Sequence, residues 1–125
     1  MARDKITMGY GTDDLSVSAS KAALTPVTIA PANGAVVEGF FKAKDNSAYL
    51  LLVITTAGSV ILKAGDAFPS NNVLGDLEIE LAAGTHVISA ERAARFENKD
   101  GSLNVDFKTG TAGTIAAFGK KAGLR

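Results

Sequence analysis

With 125 residues and 12.8 kDa, the chain has the length of a single domain. Apolar residues make up 46% of it, yet 21 of them are alanine and none is Trp, so the core must be thin and aliphatic. Thirteen basic residues balance thirteen acidic ones and cysteine is absent, which excludes a global pull toward nucleic acid or anionic lipid, a disulfide framework, a thiol nucleophile and a Cys-ligated metal.

Residues 1–22 read as a flexible N-terminal arm preceding a single β-domain at 23–125. Met8-Gly-Tyr-Gly-Thr-Asp-Asp is turn-prone, and Ser16-Val-Ser-Ala-Ser alternates only weakly with small side chains. Such a stretch buries too little apolar area to offset its ordering entropy. The expected role is an arm that orders on a partner through Ile6, Met8, Tyr10 and Leu15. Met1-Ala-Arg-Asp-Lys-Ile has charges with no apolar stretch behind them, so it does not read as a secretory signal. The longest bulky apolar run, Tyr49 to Ile54, is far short of the roughly 20 residues of a membrane helix, and no membrane partner is expected.

From residue 23 the pattern is strand, turn, strand. Leu24 to Ile29 contains Pro26, which suits an edge strand or a strand start. The Asn33-Gly34 turn leads into Val36 to Phe41. Tyr49-Leu-Leu-Leu-Val-Ile-Thr-Thr is apolar at nearly every position, as in a strand covered on both faces. Ala57-Gly58 turns into a strand over 59–64. Leu77-Glu-Ile-Glu-Leu alternates cleanly, and Ala83-Gly84 is expected as a hairpin into Thr85-His-Val-Ile-Ser. Ala90 to Phe96 has the composition of a two-turn helix, with a short strand at 94–97 as the alternative. Leu103 to Phe107 follows the Asp100-Gly101 turn, and Thr114 to Phe118 closes the pattern.

The expected fold is all-β: an antiparallel β-sandwich or jelly-roll-like small barrel with a flexible N-terminal arm. Its expected core includes Leu51, Val53, Ile61, Leu77, Ile79, Leu81, Val87, Val105 and Phe107.

Charge is unevenly distributed. Residues 65–107 are net acidic, whereas the tail holds Lys108, Lys120, Lys121 and Arg125 without an acid. Lys120, Lys121 and Arg125 are therefore expected to make inter-subunit charge contacts in a homo-oligomer. No catalytic set emerges. His86, the sole imidazole, alternates with Val87 and is expected to point outward as a surface or hydrogen-bonded histidine. It lacks both the partners of a zinc site and a G-x-S-x-G elbow. Glu78, Glu80 and Asp106 read as a solvated sheet face rather than a carboxylate pair in a cleft. Calcium through Asp13-Asp14 or Asp66 lacks a D-x-D-x-D-G loop, and no glycine pattern precedes a helix that could hold a phosphate. Neither enzyme activity nor a metal or cofactor is expected. Two tyrosines and no basic patch argue against nucleic acid.

Val60-Ile-Leu-Lys-Ala-Gly-Asp, then Leu74-Gly-Asp-Leu-Glu-Ile-Glu-Leu-Ala-Ala-Gly-Thr-His-Val-Ile-Ser, then Glu91 through Arg95-Phe96, resemble the small head-decoration or cement proteins of tailed bacteriophages. Gly39-Phe40-Phe41 and Leu50 to Val53 extend the likeness to about residues 36–118. The resemblance implies a β-rich structural protein of the virion, made in the host cytoplasm and placed on the outer capsid surface. There it would lock neighbouring major capsid subunits together, with a trimer as the expected homo-oligomer. A tail or head-fibre module and a carbohydrate-binding sandwich are the alternatives. The sandwich reading would need exposed aromatics, and of Tyr10 and Tyr49 the second is expected to be buried.

Overall fold

A computed structural model describes residues 3–11, 26–42, 48–67, 75–89 and 94–120 of the chain. Strands form wherever apolar side chains recur at every second position, because that period puts them on one face of the pleat. β1 (Asp4–Gly11) buries Ile6 and Met8 and exposes Lys5 and Thr7. β2 (Val27–Thr28) is a short edge piece just after Pro26. β3 (Ala35–Glu38) ends at Gly39, whose φ of 78° breaks the extended backbone and starts a 3-10 turn over Phe40–Lys42. Phe40 is then fully buried with Phe41 packed edge-on against it at 5.2 Å.

The remaining strands are β4 (Tyr49–Thr56), β5 (Gly58–Leu62), β6 (Leu77–Leu81), β7 (Gly84–Ser89), β8 (Leu103–Phe107) and β9 (Ala112–Lys120). They join in the order β6-β5-β8-β3-β1-β9-β4-β7, with β2 also on β9, as one nearly closed, barrel-like sheet. The all-β fold is thus as expected. Most neighbours run antiparallel, but β1 is parallel to both β3 and β9. Ladder pairing divides the strands into two halves: β6, β5, β8 and β3 in one, β9, β4, β7 and β2 in the other. β1 belongs to both, its first four residues pairing β3 and its last four β9.

The expected arm is therefore corrected over residues 4–11. Ile6, at 0% exposure, and Met8, at 7%, belong to the core cluster and are not free anchors. Burying each is worth about 1.5 to 3 kcal/mol, which favours insertion between β3 and β9 over exposure in an arm. Tyr10 lies within β1 opposite Gly119, and Leu15 lies outside the described residues.

The core is filled by Ile6, Val37, Leu50, Leu52, Ile54, Val60, Leu62, Leu103, Val105, Phe107 and Ile115. Of the expected core residues, Val105, Phe107 and Leu81 are buried and Ile79 packs partly against the cluster. Leu51 and Ile61 are only half-buried, while Val53, Leu77 and Val87 are exposed by 40%, 40% and 57%. On β4, β5 and β7 the inward set is the alternate one. Ala94–Phe96 is a 3-10 turn and not the alternative strand, while residues 90–93 of the expected helix lie outside the described residues. Its backbone is tied to the 65–67 segment by Gly65 N–H to Arg95 O (2.9 Å) and Ala67 N–H to Glu97 O (3.0 Å).

The sheet leaves an opening between β6 and β7. Ala82 and Ala83 connect these strands, but the expected hairpin does not form: β6 pairs β5 and β7 pairs β4. The two residues instead carry the chain from one edge of the sheet to the other. Exposure of the inward side chains of β6 grows away from this link, from Leu81 at 6% to Leu77 at 40%.

Candidate docking face

The register of β7, β4 and β9 sets nine side-chain positions on one side of the sheet. Directly opposed residues of antiparallel strands share a face, so three rows follow on the side away from Leu50 and Leu52: Ser89–Tyr49–Phe118, Val87–Leu51–Ala116 and Thr85–Val53–Thr114. Of these, Ala116 is buried and Leu51, Thr114 and Phe118 are half-buried. None of these nine side chains is charged. Tyr49, Val53 and Val87 are its exposed large apolar residues, at 36%, 40% and 57%. Contrary to the expectation of burial, Tyr49 lies outward and stacks on Phe118, with ring centroids 5.4 Å apart and planes at 27°. Stacking fixes both rings and gives one corner of the surface a rigid aromatic edge.

Three inward rows alternate with these: Ile88–Leu50–Ala117, His86–Leu52–Ile115 and Gly84–Ile54–Gly113. They anchor the face to the core. Gly113 is required where its row closes: its φ is 146°, and a Cβ there would collide with the carbonyl oxygen of Val53. Next to it the pairing of β4 shifts by one residue between Ile54 and Thr56. His86 is corrected from outward to inward. It is half-buried and donates its Nε2 proton to the Ala82 carbonyl at 2.8 Å, bracing the link between β6 and β7.

The half of the sheet formed by β6, β5 and β8 carries the charge. Glu78 and Asp106 flank Ile61 from either side of β5, so their strands are not neighbours. Asp106 pairs with Arg3, which also donates to Val105 O at 3.1 Å. Lys63 bridges Asp76 at 2.7 Å and approaches Asp106 at 3.8 Å. The hydrogen bond from Lys63, with a second from the Ala64 N–H, holds the Asp76 carboxyl below its usual range. The same bond raises Lys63, against a smaller desolvation effect.

Two open depressions flank the sheet. One, of about 390 Å³, is lined by Asp66, Asn98, Lys99, Asp100 and Ser102 among others. Its polar groups brace a loop: Asp66 accepts from Lys99 N–H at 2.7 Å, and Asp100 accepts from the Ser102 N–H and hydroxyl. The other, of about 600 Å³, lies between Gly58, Glu80, Leu81 and Lys108. Among the described residues no group of three or more His, Asp or Glu is placed to hold a metal ion, and no helix is long and apolar enough to cross a membrane.

The uncharged face is hard to find in the sequence because Leu51, Val53 and Val87 read as core. A signal is present all the same: a β4 that is apolar from Tyr49 to Ile54, beside a charge-free β7, supplies more apolar positions than one interior face takes. Lys120 ends β9, while Lys121 and Arg125 lie outside the described residues, as do Asp13 and Asp14. No protein-family model matches the chain, and comparison with curated proteins and with solved structures finds no match.

Proposed function

We propose that this chain is a structural virion protein, a decoration or cement protein that binds the outer surface of a tailed-phage head and holds neighbouring major capsid subunits together. The observation that carries this reading is the charge-free outward face of β7, β4 and β9. Exposed apolar side chains on a face without charge, here Tyr49, Val53 and Val87, are the chemistry of protein docking. The identity of the partner rests on the resemblance of residues 36–118 to head-decoration proteins. A capsid repeats one docking site many times, so modest contacts through such a face gain strength when each copy bridges neighbouring subunits.

The test is co-sedimentation of purified protein with heads that lack it. Wild type should bind to saturation, and Val53→Lys, which puts a charge in the centre of an outward row, should bind much more weakly. Failure of the wild type to bind heads, with binding to tails or fibres instead, would move the protein to another part of the virion.

A further inference from the structure

We propose that Asn33 is a site of spontaneous deamidation held in check by the start of β1, and that its conversion to aspartate or isoaspartate loosens that end of β1 for good. Asn33 is the one asparagine of six in the chain that precedes a glycine. With no side chain on the following residue, the next backbone nitrogen is least hindered in attacking the asparagine. The fold cannot shield the site with a larger residue. Gly34 has a φ of 69°, and a Cβ there would meet the Arg3 guanidinium and the Asp106 carboxylate. Asn33 is half-buried beside exposed Ala32, so water reaches the turn.

The restraint is visible in the turn. The Gly34 N–H donates to Ala30 O at 3.0 Å, and Asn33 Nδ2 donates to Asp4 Oδ1 at 3.2 Å. The Asp4 N–H donates in turn to Gly34 O at 3.1 Å, beside the first pair of the β1–β3 ladder, Asp4 with Ala35. Asp4 thus grips both reacting residues, and the reaction waits until it lets go. The Gly34 nitrogen then attacks Asn33 Cγ. The new C–N bond closes a succinimide, the Cγ–Nδ2 bond breaks, and ammonia leaves with the Gly34 amide proton. Water opens the ring at either carbonyl, giving aspartate or isoaspartate. Either product loses the donor that faces Asp4 and gains a carboxylate, and like charges that close disfavour one another. Isoaspartate also adds a main-chain carbon just before β3, displacing Gly34 O from the Asp4 N–H. Release of β1 is thereby made irreversible at the strand that joins the two halves of the sheet.

Mass spectrometry reads the step directly. Folded wild type held at mildly alkaline pH should slowly gain, in the peptide carrying Asn33, the mass of an NH2-to-OH exchange, with both isomers present. Asp4→Ala, which removes the acceptor, should convert several-fold faster, whereas Asp4→Asn, which keeps an acceptor oxygen, should stay near the wild-type rate. Asn33→Asp, which mimics one product, should melt lower than wild type. Its amides at residues 4–7 should exchange hydrogen faster while those of β4 stay protected, a readout that stands whether or not Asp4→Ala folds. No conversion in Asp4→Ala, equal rates in Asp4→Ala and wild type, or unchanged melting and exchange in Asn33→Asp would overturn the proposal.

Discussion

Thr7 is the last residue of β1 to pair with β3, opposite Glu38, and Met8 is the first to pair with β9, opposite Ala117. One peptide bond thus separates the two halves of the sheet, and β1 joins them. If Ile6 and Met8 are structural, Ile6→Ala should cost about 2 to 5 kcal/mol in chemical denaturation, because it opens a cavity at a site without exposure. Removal of residues 1–11 should abolish cooperative unfolding, whereas a dispensable arm would leave the melting temperature nearly unchanged.

The facing of β4 is tested by its central pair of neighbours. Leu52 is fully buried and Val53 is 40% exposed. Leu52→Ala should destabilise by about 2 to 5 kcal/mol, and Val53→Ala by less than about 1 kcal/mol. Equal losses, or the reverse order, would show that the other face of β4 is the inner one.

Gly113 makes a different demand. Its φ of 146° and the close approach of the Val53 carbonyl oxygen leave no room for a Cβ. Gly113→Ala should cost on the order of 1 to 3 kcal/mol through backbone strain, seen as a lower denaturation midpoint with an unchanged slope. An unaffected midpoint would contradict the close approach.

The Lys63–Asp76 pair sets a weak pH dependence. Asp76 is held below its ordinary value, so its contribution is present at neutral pH and is lost as pH falls through the lowered folded value. Lys63 is raised, so its contribution persists below its ordinary value and is lost as strongly alkaline pH passes the raised one. Both side chains are about a third exposed or more, at 34% and 40%. Asp76→Asn should therefore cost at most about 1 kcal/mol at neutral pH and low salt. The gap to wild type should close in acid; a gap that stays constant would show that the ion pair contributes nothing.

Fold class was legible because Leu77-Glu-Ile-Glu-Leu and Leu103-Asn-Val-Asp-Phe alternate cleanly between turns. The facing of β4 was not, since Tyr49 to Ile54 is apolar at each position and period-2 reasoning needs a polar alternate. Alternation with a polar His86 puts Val87 inside, yet it is His86 that turns inward, to reach the Ala82 carbonyl at the opening of the sheet. β1 escaped for another reason. Its Lys5-Ile-Thr-Met alternation is short and followed by glycines, while its partners, Ala35 to Glu38 and Ala117 to Lys120, are remote in sequence. The docking face could be read only after register placed Tyr49, Val53 and Val87 together.

The most direct test of the cementing role is the temperature of heat-induced genome release from heads lacking this protein, measured before and after saturation with it. Wild type should raise the release temperature, and Val53→Lys at the same concentration should leave it where undecorated heads release. No shift at saturating occupancy of the wild type would contradict the role.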